Sequence, residues 1–281
     1  MLVSLNEILP KARAEKYAVG LFNTISFEMA RGVIAAAEET KSPVIIGTAE
    51  VLLPFAPLED LANLIVPMAK RASVPIAVHF DHGLTPELII QSMKCGFSSI
   101  MYDCSLDDYE TNLAKCKEMA KIARMFGASI EAELGHVGAG EDGSAEGKAA
   151  DSIYTNPAQA KDFADRTGVD ALAVAIGSAH GAYKSTPKLD FERLEQIAAT
   201  TNIPLVLHGG SGLSDDDFKQ SIQKGISKVN IFTDINVASA QAAVKTAGTN
   251  LGMTDVIPDM IEAIKLATIE KMKLFGCCGK A

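Results

Sequence analysis

The chain has 281 residues, 48% of them apolar and 22% charged, which is enough to bury the core of a large domain. Its formal charge of −9 argues against nucleic acid as a partner, because phosphate backbones select basic surfaces. No apolar run approaches the ~20 residues that span a bilayer, and the N-terminal stretch has no basic region leading into an apolar one, so neither membrane association nor a secretory leader is expected.

In chain order, eight short apolar runs alternate with segments of helical periodicity: 18–23, 43–47, 75–81, 98–103, 129–134, 171–177, 204–209 and 227–233. The intervening "LEDLANLIVPMAKRA" and "YETNLAKCKEMAKIARMFG" carry the helical spacing, and "TPELI" and "SDDDF" open with capping residues. Strands alternating with helices imply right-handed parallel units. Eight of them predict a closed α/β structure, a (β/α)8 TIM barrel occupying 1–281 as one domain, with an extra C-terminal helix over roughly 255–275. An open, doubly wound sheet is the alternative. The connection 135–155, "GHVGAGEDGSAEGKAADSIYT", is glycine-rich and aperiodic. Loops longer than about 12–15 residues are commonly lids, and this one leaves the C-terminal end of a strand, where barrels build active sites. Five cysteines without repeating spacing read as free thiols of a reducing cytoplasm, with Cys277 and Cys278 as a flexible tail pair in preference to metal ligands.

The unusual polar residues cluster at the strand ends. Asn23 ends the first run, Asp81 and His82 the third and Asp103 the fourth; Glu131 and Glu133 end the fifth. His180 and Lys184 follow the sixth, His208 ends the seventh, and the eighth carries Asn230, Thr233 and Asp234. In a barrel all of these fall in one mouth. His82, His180 and His208 converging with an open fourth position make a catalytic zinc site. Glu131, Glu133 or backbone carbonyls supply an acceptor for a ligand imidazole, or one of the glutamates holds the ion when substrate is absent. His79 shares the side-chain parity of Asp81 and reads as a structural residue inside the barrel, and His136 as a lid or solvated residue. "HGGSG" (208–212) and "NIFTD" (230–234) follow the seventh and eighth strands, where barrels bind phosphate. Gly209, Gly210 and Gly212 let backbone amides face an anion, Ser211 and Thr233 add hydroxyls, and the helix opened by "LSDDD" adds its dipole.

With these residues in view, the chain resembles the class II, metal-dependent ketose-bisphosphate aldolases, which include the fructose- and tagatose-bisphosphate enzymes of carbohydrate metabolism and glycolysis. The resemblance covers essentially the whole chain. It rests on "HFDHG" (79–83), "MYDCS" (101–105), "EAELGHVGAGEDG" (131–143), "AIGSAHGAYK" (175–184), "LHGGSG" (207–212) and "KVNIFTDI" (228–235). It implies zinc on His82, His180 and His208, with Asp103 and Glu133 lining the metal pocket. Asp81 is then the acid/base at the aldehyde-derived oxygen, and Glu141 the loop residue that exchanges the proton beside the ketone. Asn23, Gly181, Lys184, Gly209, Gly210, Ser211, Asn230, Ile231, Phe232 and Thr233 fall on the substrate side, most of them around a dihydroxyacetone phosphate-like donor. A monovalent cation, Na+ or K+, near the phosphate and a homo-oligomer, dimer or tetramer, belong to the same expectation.

The chain departs from the family pattern on the acceptor side. After the second strand it reads "GTAEVLLPFAP" (47–57), Ser26 stands where an Asn is common, and the C-terminus has no evident arginine for a second phosphate. The donor half is complete, and the acceptor aldehyde is left open. Val51, Leu52, Leu53 and Phe55 narrow the acceptor pocket if that loop reaches it. Two competing functions are a metal-dependent barrel hydrolase, against which the first strand lacks a His-x-His pair, and an inactive sugar-phosphate-binding paralogue. A Schiff-base mechanism on Lys184 is disfavoured, because the residue lies in a loop and not in an apolar strand that could lower its pKa.

Overall fold

The computed structural model describes residues 1–139, 154–180, 188–248 and 252–281, and of Gly138, Ala139 and His180 only the backbone. Eleven strands and ten α-helices lie in this part of the chain. β1 (Leu2–Val3) and α1 (Leu5–Glu15) precede the barrel and were not expected from periodicity. The barrel strands are β2 (Val19–Asn23), β3 (Val44–Ala49), β4 (Ile76–Gly83), β5 (Ser99–Tyr102) and β6 (Ser129–Leu134), followed, after the two-residue β7 (Gly138–Ala139), by β8 (Ala171–Val174). After β9 (Ala179–His180) come the last two, β10 (Leu205–Leu207) and β11 (Ile226–Ile231).

Every pairing among these strands is parallel, and β4 pairs with β5 at one end of the order while β11 pairs with β2 within it, so the eight barrel strands close on themselves. Closure explains the apolar runs. Each strand is covered by helices outside and by the other strands' side chains inside, so both of its faces are dry. The observed strands are shorter than the apolar runs at 171–177 and 227–233, because those runs continue past the ladder into the turns that carry the site.

The helices are α2 (Phe27–Thr40), α3 (Leu58–Arg71), α4 (Pro86–Lys94), α5 (Tyr109–Phe126), α6 (Pro157–Thr167), α7 (Phe191–Thr200), α8 (Asp215–Gln223), α9 (Thr233–Ala247) and α10 (Met253–Phe275). Side-chain caps start several of them: Ser26 accepts from the Met29 amide, Asp108 from Thr111 and Asn156 from Ala158. Ser26, singled out above as a departure, is thus the N-cap of α2. The expected C-terminal helix is α10, which lies against α2 and α9. Its end is not a flexible tail. Cys277 is fully buried, the Gly279 and Ala281 amides donate to Thr40 and Lys41, and of the two adjacent cysteines Cys278 is the exposed one. The apolar face of α10 carries the chain end into the core, a tertiary effect that the last residues do not announce. Among the described residues no helix is long and apolar enough to cross a membrane.

Candidate active site

The site begins with a break in β4. Consecutive strand residues face opposite sides, so Asp81 and His82 should point apart. His82, however, has φ +42°, and the register with β5 shifts between Phe80 and Gly83. A non-glycine residue in the left-handed region costs about 1–3 kcal/mol and persists where the surroundings impose it. The irregularity turns both side chains to the mouth of the barrel. Asp103, just after β5, accepts from His82 Nδ1 at 2.8 Å and from the Ser105 amide at 3.0 Å. That bond fixes the tautomer that leaves Nε2 as the ligand atom.

His208 lies directly after β10, fully buried, its ring 4.6 Å from that of His82 between centroids. Its Nε2 is 2.9 Å from Glu131 Oε1 and its Nδ1 3.1 Å from Glu133 Oε2, both carboxylates coming from β6. Burial opposes a charged imidazole here, but the two glutamates outweigh it and hold the His208 pKa up at about 10. His82 is raised as well: burial lowers it, and the Asp81 charge and the Asp103 hydrogen bond more than compensate.

Asp81 is 1% exposed and accepts from Asn23 Nδ2 at 2.8 Å and from Asn230 Nδ2 at 3.0 and 3.2 Å. Burial alone would raise its pKa, yet the charges of His82, Lys228 and His208 prevail and keep it well below the usual carboxylate range. Behind it His79 bonds Ser99 Oγ through Nδ1 at 2.7 Å. Burial, then the Lys228 charge, push His79 down to about 3, so it is neutral, in keeping with the expected structural role.

The donor set fits a divalent metal. One ligand atom each from Asp81, His82 and His208 lies within 4.8 Å of the others, and so do those of His82, Asp103 and Glu133. Imidazoles with carboxylates suit zinc and its neighbours in the first transition row. Glu131 takes the Nε2 side of His208, so Nδ1 is the nitrogen left to hold an ion, in place of the proton it shares with Glu133. His180 is the third expected ligand; its backbone is described and its side chain is not. β9, which contains it, pairs with β7 across the mouth, and the backbone of Ala179 lies against Gly209. The residue before His180 therefore touches the residue after His208.

A cavity of about 480 Å³ opens beside these groups. Its walls include every expected substrate-side residue that is described, from Asn23 through Gly209, Gly210 and Ser211 to Asn230, Ile231, Phe232 and Thr233. One detail of the phosphate expectation changes. The N-terminus of α8 is closed by its own Ser214–Asp217 capping box. The N-terminus of α9, at Phe232–Thr233, has no side-chain cap and borders the cavity, so it is the helix end available to an anion. Val51 and Leu52, on the 3-10 turn Glu50–Leu52, also line the cavity, while Leu53 and Phe55 do not. Glu141, Gly181 and Lys184 lie outside the described residues.

Two residues had no settled role in the sequence. Glu131 is one of several possible histidine partners in the sequence, and Lys228 is only a letter in "KVNIFTDI". Lys228 is fully buried on β11, 2.8 Å from Glu131 Oε2 and 2.7 Å from Asn230 Oδ1. The available signal was a lysine inside an apolar strand, two residues from Asn230 and hence on its face.

Comparison with known proteins agrees with this geometry. The profile of the family described as "Fructose-bisphosphate aldolase class-II" matches residues 3–280. A protein of Escherichia coli K12 named YdjI is 42% identical over 270 residues, covering 96% of each chain. A fructose-bisphosphate aldolase of Thermus caldophilus is 39% identical across the full length of both. The crystal structure described as the YdjI aldolase from Escherichia coli K12 superposes with a TM-score of 0.91 at 38% identity over the whole of both chains. The chain thus belongs to the class II fructose-bisphosphate aldolase family, a family of carbon–carbon lyases acting on phosphorylated sugars.

Proposed function

We propose that the protein is a zinc-dependent aldolase that reversibly cleaves a ketose 1-phosphate to dihydroxyacetone phosphate and an aldehyde. The observation that carries this reading is one cavity walled by Asp81 and His82, whose ligand atoms meet that of the buried His208, and by an uncapped helix N-terminus. One end of the cavity can hold a divalent ion and the other a phosphate.

His82, His180 and His208 would hold the ion, with Glu133 and Asp103 beside it. A bound ion supplies Lewis-acid stabilisation of the charge that develops on the donor's carbonyl oxygen. Asp81 is ionised and held between two asparagine amides, the state and fixed orientation a base needs. It takes the proton of the C4 hydroxyl as the C3–C4 bond breaks, and returns it in condensation. Gly209, Gly210, Ser211 and the first turn of α9 hold the donor phosphate. Glu141 serves as the loop residue that moves the proton beside the ketone.

On the acceptor side Val51 and Leu52 present apolar surface, and no Lys or Arg lines the cavity among the described residues. An acceptor without a phosphate suits such a wall. The free thiols suit a reducing cytoplasm. Incubating the metal-loaded enzyme with dihydroxyacetone phosphate and a panel of aldehydes, with and without phosphate, tests the reading. New carbon–carbon bonds with unphosphorylated aldehydes support it. A sugar phosphate that binds but reacts with no aldehyde supports an inactive paralogue.

A further inference from the structure

Lys228 carries a full positive charge into the barrel, where burying an unpaired ammonium is prohibitive. Its two contacts are not equivalent to a simple ion pair. Nζ donates to Asn230 Oδ1 at 2.7 Å, and Asn230 in turn donates to both oxygens of Asp81. The same Nζ lies 2.8 Å from Glu131 Oε2, while Glu131 Oε1 faces His208 Nε2 at 2.9 Å. Four of these five residues are fully buried or nearly so, Asn230 being 9% exposed at the cavity wall. One ammonium thus ends two hydrogen-bonded arms, one reaching the carboxylate proposed as acid/base and the other the histidine proposed as metal ligand.

We propose that Lys228 is a positioning residue for aldol cleavage: it fixes the Asn230–Asp81 arm relative to the Glu131–His208 arm, and so sets the carboxylate against the metal-bound substrate. The inference rests on the aldolase reading above and adds to it a residue that touches neither metal nor substrate. An amide carbonyl anchored by an ammonium cannot rotate its NH2 away from Asp81. A carboxylate anchored on one oxygen presents the other to His208 in one direction. Removing the ammonium leaves Asn230 and Glu131 in place but frees their orientation, so the chemical step suffers more than binding does.

The test compares wild type, Lys228→Met, Asp81→Ala and Lys228→Met/Asp81→Ala, each metal-loaded. The readouts are kcat and KM for a ketose 1-phosphate, metal bound per chain, and the visible spectrum of the cobalt-substituted protein. Lys228→Met should keep its metal and a KM within about threefold of wild type, while kcat falls on the order of 10²-fold. In the Asp81→Ala background the same change should cost less than about threefold, because the arm it supports no longer ends in a base. The cobalt spectrum should shift, since His208 follows Glu131. Where Lys228→Met leaves an unfolded protein, Lys228→Met/Glu131→Gln removes both buried charges, and its kcat is compared with that of Glu131→Gln; the same drop is expected. Unchanged kcat in folded Lys228→Met, a loss confined to KM, or full additivity with Asp81→Ala overturns the inference. If wild type cleaves no ketose phosphate, the aldolase reading itself has failed. The cobalt spectrum then decides the Lys228 claim alone, an unshifted spectrum overturning it.

Discussion

Replacing Gly209 by alanine should damage stability and metal binding together. Gly209 has φ +67°, and a Cβ there would sit 2.4 Å from the Ala179 carbonyl oxygen and 2.5 Å from its carbon. The left-handed backbone costs a non-glycine residue about 1–2 kcal/mol. The clash is with main chain and not with a side-chain tip, so relief requires a packed backbone shift of roughly 1–3 kcal/mol. The sum, about 2–5 kcal/mol, lowers Tm by roughly 3–9 °C for a chain of this size. The shift also separates Ala179 from Gly209, and with them His180 from His208. Thermal unfolding should therefore be followed in stripped and in metal-loaded protein. The loaded protein should lose more, because a weakened site contributes less mass-action stabilisation. A Tm within about 1 °C of wild type in both states would refute the reasoning, since either the φ or the contact would then be wrong.

Other consequences can be measured independently. His208→Ala should abolish metal binding by equilibrium dialysis, whereas His79→Ala should retain metal and lower Tm, since its Ser99 partner lies inside the barrel. At pH 7 metal binding should release at least one proton, because His208 with a pKa near 10 is protonated until the ion replaces its proton. Calorimetry in buffers of different ionisation enthalpy reads this directly. In the stripped protein the same raised pKa favours folding below the unfolded value of about 6.5, and that contribution is lost as pH rises through about 10. Fructose 1,6-bisphosphate should be preferred over fructose 1-phosphate by less than about 10³-fold in kcat/KM; a larger ratio would mean a second phosphate clamp of roughly 4 kcal/mol.

The sequence makes the barrel legible because closure demands it: strands buried on both faces have little choice but Val, Ile, Leu and Ala, and they announce themselves. The site is legible for the opposite reason, since Asp81, His82 and His208 violate that rule where a barrel opens. What stays hidden depends on neighbours. Nothing local says that His82 adopts φ +42° and so faces the same way as Asp81, because β5 imposes the irregularity. The acidic partner of Lys228, Glu131, comes from a strand almost a hundred residues away, so its role emerges only when β6 and β11 share the barrel interior. The choice of α9 over α8 as the anion-facing helix turns on Ser214 capping α8, a bond that "LSDDD" permits without requiring. The N-terminal β1 and α1 are likewise secured by long-range bonds, among them the Leu5 amide on Ser129.

The most direct test of the account is product analysis of ketose 1-phosphate turnover before and after a chelator. The account predicts dihydroxyacetone phosphate and an aldehyde in equal amounts, loss of both when the metal is removed, and their return with zinc. Release of inorganic phosphate in place of a carbonyl pair, or undiminished cleavage by the stripped protein, would contradict it.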